Sequence, residues 1–404
     1  MWDDIADVGR EATTGGYHRY AWTPEDTLLR EWFTARARER GLDVVTDRAG
    51  NLWAWWGDPD ADGPGLVVGS HLDSVPGGGA YDGPLGVISA LAALDTLRNS
   101  GFSPMTPIGV ACFADEEGAR FGIACAGSRL LTGALDPDRA RALTDADGVS
   151  LGEAAGHAGL DVQHLGPDPE ALRRVGRFVE LHVEQGRGLV HSGDAVGVGG
   201  AIWPHGRWRV DLAGRGDHAG TTALADRADP MLDLARLITA VRAAAERHGA
   251  VATVGKVRIE PGGVNVIPSH VTAWLDARAS GEPAVLAVLA DLADFATHEE
   301  SFTLRTTLDG ALTADLAGLL DAPVLETGAG HDAGVLAQAG VPASMLFVRN
   351  PTGVSHSPHE FAERDDCLAG VTALARAIEH LAGPQRRAEP LNGGLREHER
   401  EAGA

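Results

Sequence analysis

The stretch "LVVGSHLDSVPGGGAYDGPLGVISALAALDTLRNSG", Leu66 to Gly101, spells a strand, a turn and a helix in succession. LVVGSH is a short run of apolar, β-branched and small residues, the pattern of a strand buried on both faces. Further on, Val87, Leu91, Leu94 and Leu97 recur at helical spacing, and Gly101 follows the end. Between them His71, Asp73 and Asp82 stand among small residues and turn formers. A buried strand running into a covering helix predicts an α/β sheet with helices on both faces. In such sheets ligands bind at the carboxyl ends of the strands, where these titratable residues fall.

The same pattern recurs along the chain. "IGVACFADEE" (108–117), "FVELHVEQG" (178–186) and "ASMLFVRN" (343–350) read as further, mostly buried strands, and most of these runs end in polar, titratable residues. The middle of the chain differs. A strand at 207–214 is followed by a helix over 230–248, with Asp229 as N-cap, Pro230 at the first position and Gly249 after the end. Strands at 251–259 and 270–279, a helix over 283–297 and a strand at 302–308 complete a β-α-β-β-α-β order, that of a ferredoxin-like domain. The α/β pattern resumes after residue 310, so this unit, 207–310, is expected as an insertion in a larger domain made of 1–206 and 311–404. From Gly383 the tail has almost no apolar residues and is expected to be loosely attached.

Composition narrows the function. The 404 residues suffice for about two domains. The net charge of −23 argues against nucleic acid or an anionic membrane as partner. Lys256 is the only lysine, so the positive charge is almost all Arg. Three cysteines, Cys112, Cys125 and Cys367, suit a reducing compartment better than a disulfide framework. The N-terminus carries no signal-peptide pattern and no apolar run approaches a membrane span, so a cytoplasmic location is expected.

Four strand ends carry chemistry. His71 and Asp73 are two apart, and alternation puts them on one face. Asp82 follows a Gly-rich turn. Asp115, Glu116 and Glu117 repel one another and must be solvated or neutralised by a cation. His182 interrupts an apolar strand, and His356 lies in a Gly/Ser/Pro-rich turn. Taken singly, each has an ordinary reading: a surface loop, a solvated charge run, a core histidine, a loop histidine. Together they form the mixed nitrogen and oxygen donor set of a borderline divalent metal such as zinc, manganese or cobalt.

From "TGGYHRYAW" (14–22) to "GVSHSPHEF" (353–361) the chain resembles the dinuclear-metal amidohydrolases. These include allantoate amidohydrolase, N-carbamoyl-L-amino-acid hydrolase and β-ureidopropionase, and are relatives of the metal-dependent exopeptidases. The resemblance implies an α/β/α zinc-exopeptidase-like catalytic domain, with the ferredoxin-like insertion serving as lid and homodimer interface. It implies two divalent metal ions (Zn, Mn or Co) per chain. His71 and Glu117 would be terminal ligands, Asp82 the bridge, and His182 and His356 the remaining ligands. Glu116 would be the general base and acid, and Asp73 the partner of His71. "GRGDHAGTTALADRADPM" supplies His218, implied as donor to the substrate carbonyl, in its own site or a partner's. "GGVNVIPSHVTAWLDAR" supplies Asn265 and Arg278 for the substrate carboxylate, to which an Arg fork is suited. Gln185 would also contact substrate.

His182 stands where related peptidases usually carry an acidic ligand, which favours ureido or carbamoyl substrates over peptides. The expected reaction is hydrolysis of a linear ureido or carbamoyl C–N bond of a small anionic substrate. Allantoate is placed first and an N-carbamoyl-L-amino acid second. Arg349, where relatives carry a smaller residue, either pairs with a surface acid or reads a second anionic group. The latter would favour an N-formyl or N-acyl acidic amino acid. The contrasting reading is a non-catalytic dimeric metal-binding protein on the same fold.

Overall fold

The computed structural model describes residues 1–384. The expected loose tail lies, beyond Pro384, outside the described residues. A nine-stranded sheet runs through the larger part of the molecule. At its centre lie Ile108–Phe113, Gly65–His71, Val175–Val183 and Ala343–Val348, side by side in that order and mutually parallel. These are the four runs read as strands from the sequence. Their parallel alignment brings all four carboxyl ends to one edge of the sheet. The hairpin Asp43–Thr46 and Leu52–Trp56 extends one side, antiparallel to Ile108–Phe113. Val196–Ile202 extends the other, antiparallel to Ala343–Val348.

Both faces of the sheet are covered, which is why its central strands are continuous apolar runs. On one face Val68 and Leu181 pack under the helices Pro84–Asn99 and Arg364–Ala382, through Leu91, Leu94, Leu374 and Ile378. On the other, Val67, Phe113 and Phe178 meet Trp53, Leu130 and Leu336. Trp53 and Trp55 of "NLWAWWG" therefore pack this layer, with Trp53 fully buried, while Trp56 packs against the other.

A second, four-stranded antiparallel sheet spans His205–Thr303. Its order is Thr297–Thr303, His205–Ala213, His270–Arg278, Val251–Glu260, the fourth, first, third and second strands of the segment. The helices Pro230–His248 and Glu282–Asp291 cover one face, closing a separate core of Trp208, Val210, Leu237, Val241, Val271, Leu275 and Val288.

Two boundaries differ from the sequence reading. The second helix stops at Asp291 rather than 297, and the last strand is Thr297–Thr303 rather than 302–308. That strand, "THEESFT", is a mostly exposed edge with no apolar alternation to announce it. Thr306–Thr307 instead joins the large sheet beside Val196–Ile202. No helix among the described residues is long and apolar enough to cross a membrane.

One position in the central strand sets a steric limit. Gly69 has φ of 142°, and a Cβ there would lie 2.1 Å from the carbonyl oxygen of Ala111 in the neighbouring strand. Gly69→Ala is expected to destabilise the protein by about 2 kcal/mol or more, read as a lowered midpoint in thermal unfolding. An unchanged midpoint would contradict this packing.

Candidate active site

The carboxyl edge of the parallel strands gathers the titratable residues. His71 ends its strand and is fully buried. Its Nδ1 lies 3.1 Å from the backbone carbonyl of Asp73. His182, one residue before the end of Val175–Val183, has Nδ1 2.9 Å from the carbonyl of Val183. In each ring Nδ1–H donates to a carbonyl, which fixes the ring's orientation and leaves Nε2 as the nitrogen that faces the cluster. Both Nε2 atoms turn toward Asp82 Oδ1, at 3.7 and 3.1 Å, and neither has a hydrogen-bond partner.

Asp82 reaches this position because Gly83 follows it. Gly83 adopts φ of 83°, and a Cβ there would sit 2.4 Å from the His71 ring. The acidic turn after Ile108–Phe113 begins at Asp115, itself in the left-handed region. It is pinned by Asp73, whose carboxylate accepts the backbone N–H groups of Glu116 at 3.1 Å and Glu117 at 3.0 Å. The expected Asp73–His71 pairing takes a modified form: the Asp73 carboxylate is 3.5 Å from His71 Nδ1, farther than its own carbonyl. Asp73 thus orients His71 through its backbone and the acidic turn through its side chain.

Two groups of metal-ligating type result, and they share one residue. His71, Asp82 and His182 form the first; Asp82, Glu117 and His356 form the second, and within each the ligand atoms all lie within 4.8 Å of one another. His356 Nε2 is 3.5 Å from Asp82 Oδ2 and 3.6 Å from Glu117 Oε2. Glu116 stands beside the first group, with Oε2 3.8 Å from His71 Nε2. Its Oε1 accepts the Cys125 thiol at 3.3 Å. Gln185 Nε2 donates to Asp82 Oδ2 at 2.8 Å. The eight residues drawn from separate stretches thus meet at one place.

The electrostatics of the cluster call for a cation. Asp73, Asp82, Glu116 and Glu117 are buried or nearly so, and among the described residues no Lys or Arg forms a hydrogen bond or ion pair with any of them. Burial, with repulsion from Asp82 and Glu116, holds Glu117 well above the usual carboxylate range. Burial pushes Glu116 up to about 7, against the attraction of His71. For Asp82 burial acts upward, but His182, His71 and His356 together hold it well below the ordinary value. Glu117 Oε1 has no hydrogen-bond partner. Buried charges left unpaired are costly. Unpaired imidazole nitrogens and carboxylate oxygens converging on a shared carboxylate fit a pair of divalent ions.

The other expected residues divide. Arg278, near enough to feel Glu117 and Glu116, gives Nε and Nη2 to Asp276, at 2.7 and 3.0 Å, and Nη1 to the carbonyl of Gly328 at 2.8 Å. His218 and Asn265 are exposed and adjacent, Ala219 N–H donating to the Asn265 carbonyl. They sit beyond the His270 end of a strand whose other end is Arg278, roughly 26 Å away along the strand. Within one chain this pair does not join the cluster. Arg349 holds Asp366 through two hydrogen bonds of 2.8 Å, away from the cluster acids.

Sequence reading missed Glu360. Its carboxylate is buried and accepts the backbone N–H groups of Tyr81 and Asp82, at 3.0 and 2.9 Å. The only signal was an acid four residues after His356. Glu180 was also missed; it lies behind His182, bonded to Ser70 Oγ and the Ala333 N–H.

Comparison with known proteins now decides the family. The model for peptidase family M20/M25/M40 matches residues 67–380. The chain belongs to this family. It is 37% identical to an N-carbamoyl-L-amino acid amidohydrolase of Geobacillus stearothermophilus, over 94% of this chain and 96% of that one. It is 32% identical to the allantoate amidohydrolase of Escherichia coli (strain K12), over 91% and 93%. A crystal structure of a hydantoinase/carbamoylase family amidase from Burkholderia vietnamiensis superposes with a TM-score of 0.87 at 29% identity, covering 93% of this chain and 94% of that one. Within the family the chain is an amidohydrolase of the carbamoylase and allantoate amidohydrolase group, acting on C–N bonds other than peptide bonds.

Because Asp82 serves both groups, Asp82→Asn is expected to cut tightly bound manganese by roughly half or more. Elemental analysis of dialysed protein measures this. Retention of the wild-type metal content would contradict the shared site.

Proposed function

We propose that this enzyme hydrolyses N-carbamoyl-L-amino acids at a site of two divalent cations. One cation would be held by His71, His182 and Asp82, the other by Asp82, Glu117 and His356. The observation that carries the reading is the shared Asp82, flanked by free imidazole nitrogens and beside a buried Glu116. Bound there, such ions supply Lewis acidity and ease deprotonation of water.

The chain's own residues supply the rest. Glu116 Oε2 faces the cluster and takes the proton as water attacks the carbamoyl carbon. When the C–N bond breaks, Glu116 returns that proton to the leaving nitrogen. Arg278 anchors the substrate carboxylate through the Nη N–H groups that Asp276 and the Gly328 carbonyl leave free. Gln185, already on Asp82, contacts the substrate from the same side.

His218 and Asn265 complete the site from a second copy of the chain. Their distance from Arg278 within one chain supports this, as does the strand Val251–Glu260. That strand edges the second sheet, is exposed along most of its length, and pairs on one side only. Val257 and Ile259 lie open on it, as an interface edge requires. His218 would donate to the substrate carbonyl oxygen as negative charge develops there.

Similarity and charge support the choice of substrate. The sequence placed allantoate first; the greater identity to an N-carbamoyl-L-amino acid amidohydrolase than to an allantoate amidohydrolase, 37% against 32%, reverses that order. Arg278 lies near Glu117 and Glu116, whereas Arg349 has Asp366, Glu363 and Asp194 as its acidic neighbours. Arg349 is therefore not the reader of a second anionic group that acidic amino-acid derivatives would need.

Manganese-loaded enzyme is expected to release ammonia from an N-carbamoyl-L-amino acid faster than from its D enantiomer or from allantoate. Preferential turnover of allantoate would overturn the substrate assignment. Glu116→Gln is expected to lower kcat by roughly 10²–10⁴-fold while metal content stays at the wild-type level. Full activity in that variant would contradict the proton-transfer role.

A further inference from the structure

The three candidate imidazole ligands are not equally held. His71 and His182 are buried, and each ties Nδ1 to a backbone carbonyl. His356 has its side chain about half exposed, sits at a left-handed φ of 55°, and makes no hydrogen bond through its ring. Something other than its own contacts must keep it beside Asp82.

The neighbouring residues show what does. Ser355 Oγ lies 3.2 Å from Asp82 Oδ2 and 3.2 Å from Glu360 Oε2, and it accepts Gln185 Nε2 at 3.1 Å. Glu360 Oε1 takes the backbone N–H groups of Tyr81 and Asp82 at 3.0 and 2.9 Å. One carboxylate therefore grips the Asp82 turn by its main chain and the His356 turn by its hydroxyl. The approach is so close that a Cβ on Gly79 would fall 2.4 Å from Glu360.

We infer that Glu360 is a positioning residue for the second cation group, clamping the turn that carries His356 onto the turn that carries Asp82. Glu360 belongs to neither candidate metal group. The first group shares Asp82 but depends on the clamp less, because its other two members, His71 and His182, are fixed by their own strands and carbonyls. Losing the clamp should therefore weaken one cation site selectively. This inference rests on the two-cation reading above.

The test is manganese binding to full-length, metal-stripped protein by calorimetric titration, with no substrate present. Wild type is expected to bind two ions per chain. Glu360→Ala should keep one site near its wild-type affinity and weaken the other by roughly 10- to 100-fold, the usual cost of losing an outer partner of a metal ligand. Glu360→Gln should restore the second site, since its amide oxygen still accepts both N–H groups. Ser355→Ala should weaken the same site with little effect on folding, and it serves as the test if Glu360→Ala does not fold. Two wild-type affinities in Glu360→Ala, equal weakening of both sites, or no rescue by Gln would overturn the clamp. Fewer than two ions in wild type would instead overturn the two-cation reading beneath it.

Discussion

The molecule is organised around Asp82 and the charge buried with it. Its carboxylate lies between His182 and His71 on one side and His356 and Glu117 on the other. Glu116 and Asp73 stand close by, also buried. No basic side chain pairs with these acids among the described residues. Such an arrangement is expensive in an apolar interior unless cations complete it. The parallel sheet makes the arrangement geometrically possible, because it delivers His71, the acidic turn and His182 to one edge. Bound metal is thus expected to add to folding stability as well as to catalysis.

The packing of the acidic turn shows how a fold can hold like charges together. Asp73 accepts two successive backbone N–H groups and so sets the direction of Glu116 and Glu117 from outside the metal groups. Gly83 lets the Asp82 turn pass against the His71 ring, where any side chain would collide. Cys125 bonds one oxygen of Glu116 and leaves the other facing the cluster. Each contact is modest alone. Together they orient a set of acids that would otherwise splay into solvent.

Much of this was legible in the sequence. The four central strands are continuous apolar runs because both sheet faces are covered, and a run of that kind is hard to mistake. The titratable residues at their ends stood out against small and apolar neighbours. Thr297–Thr303 was misplaced because an exposed edge strand carries no apolar alternation. Glu360 was missed because its partners lie 278 and 279 residues away, and nothing local marks a carboxylate that binds backbone N–H groups. Asp366 is likewise buried, and its pairing with Arg349 could not be read from spacing. The family resemblance named His218 and Asn265, but the distance from Arg278 within one chain emerges only once the second sheet is in place.

The most direct measurement of the central claim is anomalous diffraction from crystals of the manganese-loaded enzyme. Two peaks are expected on either side of Asp82, one among His71 and His182, the other beside Glu117 and His356. A single peak, or peaks away from Asp82, would contradict the account.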